Sequence, residues 1–166
     1  MATHLSAHLA LPADPAGAFA LLTDSAYVEE VAVATGGHDV GVSVTTGEDG
    51  GATVVSARTL PAKLPSYAKA FVGETLSLTE TRVYGPAAPD GSRDGTFDVD
   101  FGSTPIAISG TLRLAAEDGA SGLSIEVEIK ASVPFVGGKV EGMASGWIER
   151  FVAKEETVAA EHAEPG

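Results

Sequence analysis

The 166-residue chain has no cysteine. That excludes disulfide staples, thiol nucleophiles and cysteine-based zinc sites together, and it fits a reducing compartment. Basic residues are scarce: 10 Lys and Arg stand against 23 Asp and Glu, for a formal net charge of −13. A nucleic-acid binder needs clustered cations to neutralise phosphates. Docking on an anionic membrane surface needs them too. Neither nucleic acid nor membrane is expected as a partner. No apolar run approaches the ~20 residues of a membrane span. The opening MATHLSAHLALPADPAG lacks the basic start and long apolar core of a secretion signal. The expectation is a cytoplasmic protein whose acidic charge serves solubility.

What is present looks globular. Hydrophobic residues make up 44% and charged residues 20%, an ordinary balance. The length suits one domain with a core of its own. Residues 1–161 are read as that domain and 162–166 as a frayed tail.

Along the chain, Leu5, Ala7, Leu9 and Leu11 alternate with His4, Ser6 and His8, as on a half-buried strand. Asp14 and Pro15 open a short helix as N-cap and first helical residue. A second short helix starts at a Ser25 cap and stops at Gly36 and Gly37. Strands then dominate. Val40, Val42 and Val44 form one, the GEDGG turn at Gly47–Gly51 follows, and Thr53 to Leu60 returns as in a hairpin. Leu60 to Gly73 is a proline-punctuated insert with one helical turn near Tyr67–Phe71. Glu74 to Tyr84 is a long strand, and Gly85 to Gly95 a turn-rich loop. Three more alternating strands follow, through Phe97–Phe101, Ile106–Leu114 and Leu123–Ile129, with Gly110 read as a bend or bulge. After Gly138 the period changes from 2 to 3.6. Val140, Met143, Ala144, Trp147, Phe151 and Val158 fall on one helix face running to about Glu161. Short links between consecutive strands imply an antiparallel sheet. The α+β solution is a curved seven-stranded antiparallel sheet wrapped around the long C-terminal helix, with two short helices after strand one.

The segment VPFVGGKVEG, Val133 to Gly142, joins sheet to long helix. It is not a phosphate-binding loop. Only two adjacent glycines precede Lys139, and Val140 stands where the magnesium-binding hydroxyl should be. It reads as a joint: Pro134 ends the ladder because it lacks a donor, and the glycines turn the chain.

This order of elements resembles the START-like, helix-grip (SRPBCC) group, which includes polyketide cyclases, lipid-transfer domains and pollen-allergen proteins. More closely, it resembles a small bacterial family of unassigned function within that group. The resemblance rests on RTLPAKLP (Arg58–Pro65), FVGETLSLTE (Phe71–Glu80), GSTPIAISG (Gly102–Gly110) and VPFVGGKVE (Val133–Glu141), and covers nearly the whole chain. It implies a hydrophobic cavity between sheet and long helix, and it carries over no catalytic residue.

Metal and hydrolase chemistry find little support in the residues. His4 and His8 lie about 13 Å apart on a strand at ~3.3 Å per residue, too far to share an ion. DGSRDG at Asp90–Gly95 imitates half of a calcium loop, but Phe101 occupies the position of the closing glutamate. No G-x-S-x-G elbow occurs. No metal and no cofactor is expected.

Glu80, Arg82 and Tyr84 continue the alternation face of Leu76 and Leu78. With Arg58 and Tyr67, they bring polar groups toward an apolar cavity if that face is concave, as at ligand sites. The other reading is an exposed ion pair beyond the sheet edge. Phe97, Val99, Phe101 and Ile108 supply the apolar strand wall. Met143, Trp147 and Phe151 supply a helical roof, or else plain core. The small residues Gly138, Gly142, Ser145 and Gly146 face the other way, toward the short helices, a second subunit or solvent. Three functions follow: binding or carriage of a small hydrophobic molecule without catalysis, a cyclase- or aromatase-like enzyme in the same cavity, or an interaction module with a vestigial cavity. The first is preferred, with the protein a monomer or weak homodimer.

Overall fold

A computed structural model describes residues 2–61, 73 and 75–162. The elements run β1 (Thr3–Leu11), α1 (Pro15–Leu22), α2 (Ser25–Ala34), β2 (His38–Thr46), β3 (Ala52–Pro61), β4 (Thr75–Tyr84), β5 (Arg93–Asp100), β6 (Ile106–Glu117), β7 (Ala120–Ala131) and α3 (Gly137–Glu161). All strands pair antiparallel in one seven-stranded sheet of order β1-β7-β6-β5-β4-β3-β2. This is the expected α+β helix-grip architecture. The insert's expected helical turn, Tyr67 included, lies outside the described residues.

Alternation decides which face is buried. Leu9, Leu11, Leu112, Leu114, Leu123, Ile125, Val127 and Ile129 are all buried on the inner face. His4, Ser6 and His8 point outward, and His8 Nε2 meets Glu117 at 2.9 Å. Both ladders flanking β6 keep register through Gly110, so no bulge sits there. The glycine is needed for another reason: a Cβ at this position would strike the Glu126 carbonyl oxygen and backbone. β6 and β7 thus approach more closely at this point than a side chain allows.

Both short helices are capped by aspartate. Asp14 accepts from the Gly17 amide at 2.9 Å, as expected. Asp24, not Ser25, caps α2 and accepts from the Ala26 amide at 3.1 Å. Asp24 keeps extended backbone angles, whereas Ser25 is already inside the helix. The turn-rich loop is also shorter than expected, because β5 starts at Arg93. Asp94 on that strand pairs with Arg113 at 2.9 Å, and Asp90 closes a tight turn onto Ser92.

The joint into α3 differs in detail. The ladder ends at Ala131, before Pro134, and α3 begins at Gly137. The left-handed step belongs to the fully exposed Phe135, with φ +68°, and neither Gly137 nor Gly138 has positive φ. Glu141 closes this corner. It lies on the first turns of α3, 3% exposed, and accepts from the Ala131 amide at 3.0 Å and the Thr3 hydroxyl at 2.8 Å. These two hydrogen bonds hold its carboxyl below the usual carboxylate range. One side chain therefore ties β1, the end of β7 and α3 together.

A carboxyl lowered in the fold stabilises above its unfolded pKa and loses that contribution as pH falls through the folded value. Glu141→Ala is expected to cost about 1–3 kcal/mol near neutrality. In urea melts, the gap to wild type should hold above about pH 6 and close as pH drops below the ordinary 4.5. A gap that widens in acid would refute this role.

Candidate functional site

The long helix packs on β1, β7 and α2. It faces β3, β4 and β5 across a gap, and the gap is a cavity of about 60 Å3. The inner faces of these strands are set by register. Arg58 pairs with Leu78, Ser56 with Glu80 and Val54 with Arg82 across β3 and β4. Glu80 continues to Val99, and Arg82 to Phe97, on β5.

Leu76, Leu78, Phe97, Val99, Phe101 and Ile108 all line the cavity from the sheet side. Trp147 and Phe151 line it from α3, with Ala144, Ile148 and Val152. Val28 and Val31 close it from α2. Met143 does not reach it and packs half-buried against the core. The buried stripe of α3 keeps Val140, Ala144 and Val158 from the sequence reading and is turned toward Ile148 and Ala159. That rotation turns Met143 aside.

β4 runs without a bulge, so Glu80 and Arg82 face inward with Leu76 and Leu78. The exposed-pair reading fails, since Arg82 is 8% exposed. Its two terminal nitrogens grip Glu155 of α3 at 2.7 and 3.1 Å. Its Nε stands 3.2 Å from Glu80 Oε2, in charge contact without a hydrogen bond. The guanidinium also lies 5.5 Å from the Phe97 ring centroid. Burial opposes the charge on Arg82, but the Glu155 and Glu80 carboxylates outweigh it and hold its pKa well above the ordinary value.

Tyr27 of α2 joins the cluster, its hydroxyl 3.4 Å from Glu155. Burial first, and the Glu155 charge second, push its pKa upward. Tyr84 is fully buried against the Phe19 ring, edge-on at 5.8 Å between centroids, and does not line the cavity. Burial likewise raises its pKa, and among the described residues its hydroxyl has no hydrogen-bond partner. Both tyrosines therefore stay protonated near neutrality. Arg58 is buried beside Ser56 and reaches Glu80 only at 4.0 Å.

Glu155, Tyr27 and Ser56 were not singled out from the sequence. Glu155 had a readable signal. It lies four residues after Phe151 and three before Val158, so it interrupts the apolar stripe in phase. Among the described residues, a Cβ added at Gly138 or Gly142 would meet open space, and one at Gly146 would meet the Arg150 side chain. The short helices do not use that face. Among the described residues no cluster of three metal-ligating side chains occurs, and no helix is long and apolar enough to cross a membrane.

Removing one partner from a buried ion pair strands the other charge. Arg82→Met is expected to lower stability by about 3–5 kcal/mol in denaturant unfolding. The double variant Arg82→Met/Glu155→Leu should recover most of that loss. Additive losses would show that the two side chains are not coupled.

No curated protein matches the chain in sequence. Solved structures share its fold along almost its whole length. TTHA0849 of Thermus thermophilus superposes with TM-score 0.63 at 11% identity, over 99% of this chain and 100% of that one. The Zhui aromatase/cyclase from a Streptomyces species gives 0.62 at 13%, over 98% and 94%. Norcoclaurine synthase from Thalictrum flavum, in complex with dopamine and hydroxybenzaldehyde, gives 0.57 at 9%, over 99% and 90%. At such identities the likeness establishes the START-like fold. Residues 6–162 match the model of the family described as "Protein of unknown function (DUF2505)", and the chain belongs to that family.

Proposed function

We propose that the protein binds a small hydrophobic molecule in the cavity between α3 and strands β3–β5. The observation that carries this reading is the gap itself. Apolar side chains from sheet, α2 and α3 surround it, and a few convergent polar groups interrupt the wall. Ligand sites have this composition. Similarly folded proteins include an aromatase/cyclase and a synthase in complex with two small aromatic molecules, which supports a cavity in use.

The polar groups favour holding over chemistry. Glu155 is fully engaged by Arg82, and Glu80 lies against the same guanidinium. Tyr27 keeps its proton and offers a hydroxyl. Both carboxylates of the wall lie against Arg82, so among the described residues it presents no free base. A cyclase-like catalyst is the second reading. It draws on the protonated Tyr27 as a proton donor, and a substrate turned over with loss on Tyr27→Phe would establish it.

A cavity of ~150 Å3 accepts benzene, so a body of that size must push this one open. The half-buried Trp147 and Phe151 are placed to give way. Trp147 is the single tryptophan, which makes its emission a direct reporter. Titration with octan-1-ol is expected to shift that emission saturably. Ala144→Phe, which fills the cavity from α3, should abolish the response while circular dichroism stays unchanged. A linear, non-saturating response in wild type would reject the cavity as a binding site.

A further inference from the structure

We infer that the cavity selects molecules with a carboxylate at one end, and that Arg58 is the residue that anchors it. This rests on the hydrophobic-ligand reading above and narrows it to a chemical class.

The two inward arginines differ in what they have to bind. Arg82 is saturated, with Glu155 on its terminal nitrogens and Glu80 against its Nε. Arg58 is not. Its side chain is 6% exposed, it lines the cavity, and among the described residues it makes one hydrogen bond, from Nη1 to the Ser56 hydroxyl at 3.2 Å. Its Nε is buried with no hydrogen-bond partner among the described residues. The nearest carboxylate oxygen, on Glu80, is 4.0 Å from Nη2, beyond hydrogen bonding, while Glu80 sits 3.2 Å from Arg82. A guanidinium has five N–H donors, so among the described residues most of those on Arg58 have no acceptor within hydrogen-bond reach.

Buried charged groups are ordinarily hydrogen-bonded, because leaving them unpaired costs more than the bond itself returns. A ligand oxygen beside Arg58 recovers that cost. A carboxylate does so best, since its two oxygens match the planar fork. The head is held in place by the fold. A Cβ on Gly37 would lie 2.9 Å from Arg58 Cδ and 2.7 Å from the Ala32 carbonyl oxygen, so the end of α2 rests directly on the arginine stem. The apolar body then meets Leu78, Phe101, Ile108 and Trp147 in the same cavity. The chain's net charge of −13 repels anions at long range, but that field is screened over ~8 Å at physiological salt, and the neighbouring guanidinium decides.

The test is a Trp147 emission titration at constant ionic strength and pH 7.5. Octanoate, octan-1-ol and octylamine serve as probes, all below their aggregation limits. Wild type is expected to bind octanoate at least tenfold more tightly than octan-1-ol, with octylamine weakest. Arg58→Met keeps the stem packed under Gly37 and leaves Glu80 with Arg82. It should erase the octanoate preference, so that octanoate binds no more tightly than octan-1-ol. Glu80→Gln removes the carboxylate that competes for Arg58 and should tighten octanoate alone. Equal affinity for octanoate and octan-1-ol in wild type would overturn the inference and leave the cavity reading intact. So would a preference that survives Arg58→Met. Saturation by none of the three probes would overturn both. If Arg58→Met does not fold, Glu80→Gln decides: unchanged octanoate affinity there rejects Arg58 as the anchor.

Discussion

The grip of Arg82 on Glu155 is the contact on which the site depends. It spans the open side of the cup, from β4 to the last third of α3, where apolar packing is interrupted by the cavity. Burying two charges is costly, and good geometry is what offsets the loss of hydration. Here both terminal nitrogens are used, Glu80 adds a second carboxylate and Tyr27 adds a hydroxyl. A well-packed apolar replacement would serve net stability as well. The distinctive contribution of the pair is positional: it fixes how far α3 stands from β4, and so holds the gap at a set width.

The other end of α3 is fixed differently. Glu141 locks its first turns to the end of β7 and to Thr3 on β1. At the far end His162 Nε2 meets Glu30 of α2 at 2.7 Å and its ring lies edge-on to Tyr27. The helix is thus anchored near both ends and in its last third by polar contacts. Between Ala144 and Val152 it contributes apolar side chains to the cavity wall instead. A wall that is apolar between fixed points is the arrangement in which a greasy molecule can be admitted by side-chain movement, without separating helix from sheet.

Much of this was legible in the sequence, because its strands and long helix are amphipathic. Period-2 alternation placed Leu76, Leu78, Glu80 and Arg82 on one face, and the unbroken β4 register keeps them there. The change of period after Gly138 marked the long helix. What alternation cannot carry is distance across the fold. Nothing near Arg82 in sequence names a partner 73 residues away. A glutamate in phase with an apolar stripe was the available sign of Glu155, and the same sign marks Glu141, next to Val140. Roof and core were both open for Met143, and it packs against the core, because an α-helix stripe broad enough to include it does not say which of its edges faces the cavity. The turn at Phe135 was hidden because a left-handed residue is normally sought at glycine, and two glycines stood close by.

The central claim, that the gap between α3 and the β3–β5 wall is a binding cavity, is tested most directly by two-dimensional NMR of the labelled protein during titration with octanoate. Shifts are expected to concentrate in the Trp147 indole and in the methyl groups of Leu78, Ile108 and Val152, with saturation at one equivalent. The outward strand positions around His8 and Glu126 should stay still. Shifts spread over the outer sheet face, or none at the Trp147 indole while other signals move, would contradict a binding cavity at this position.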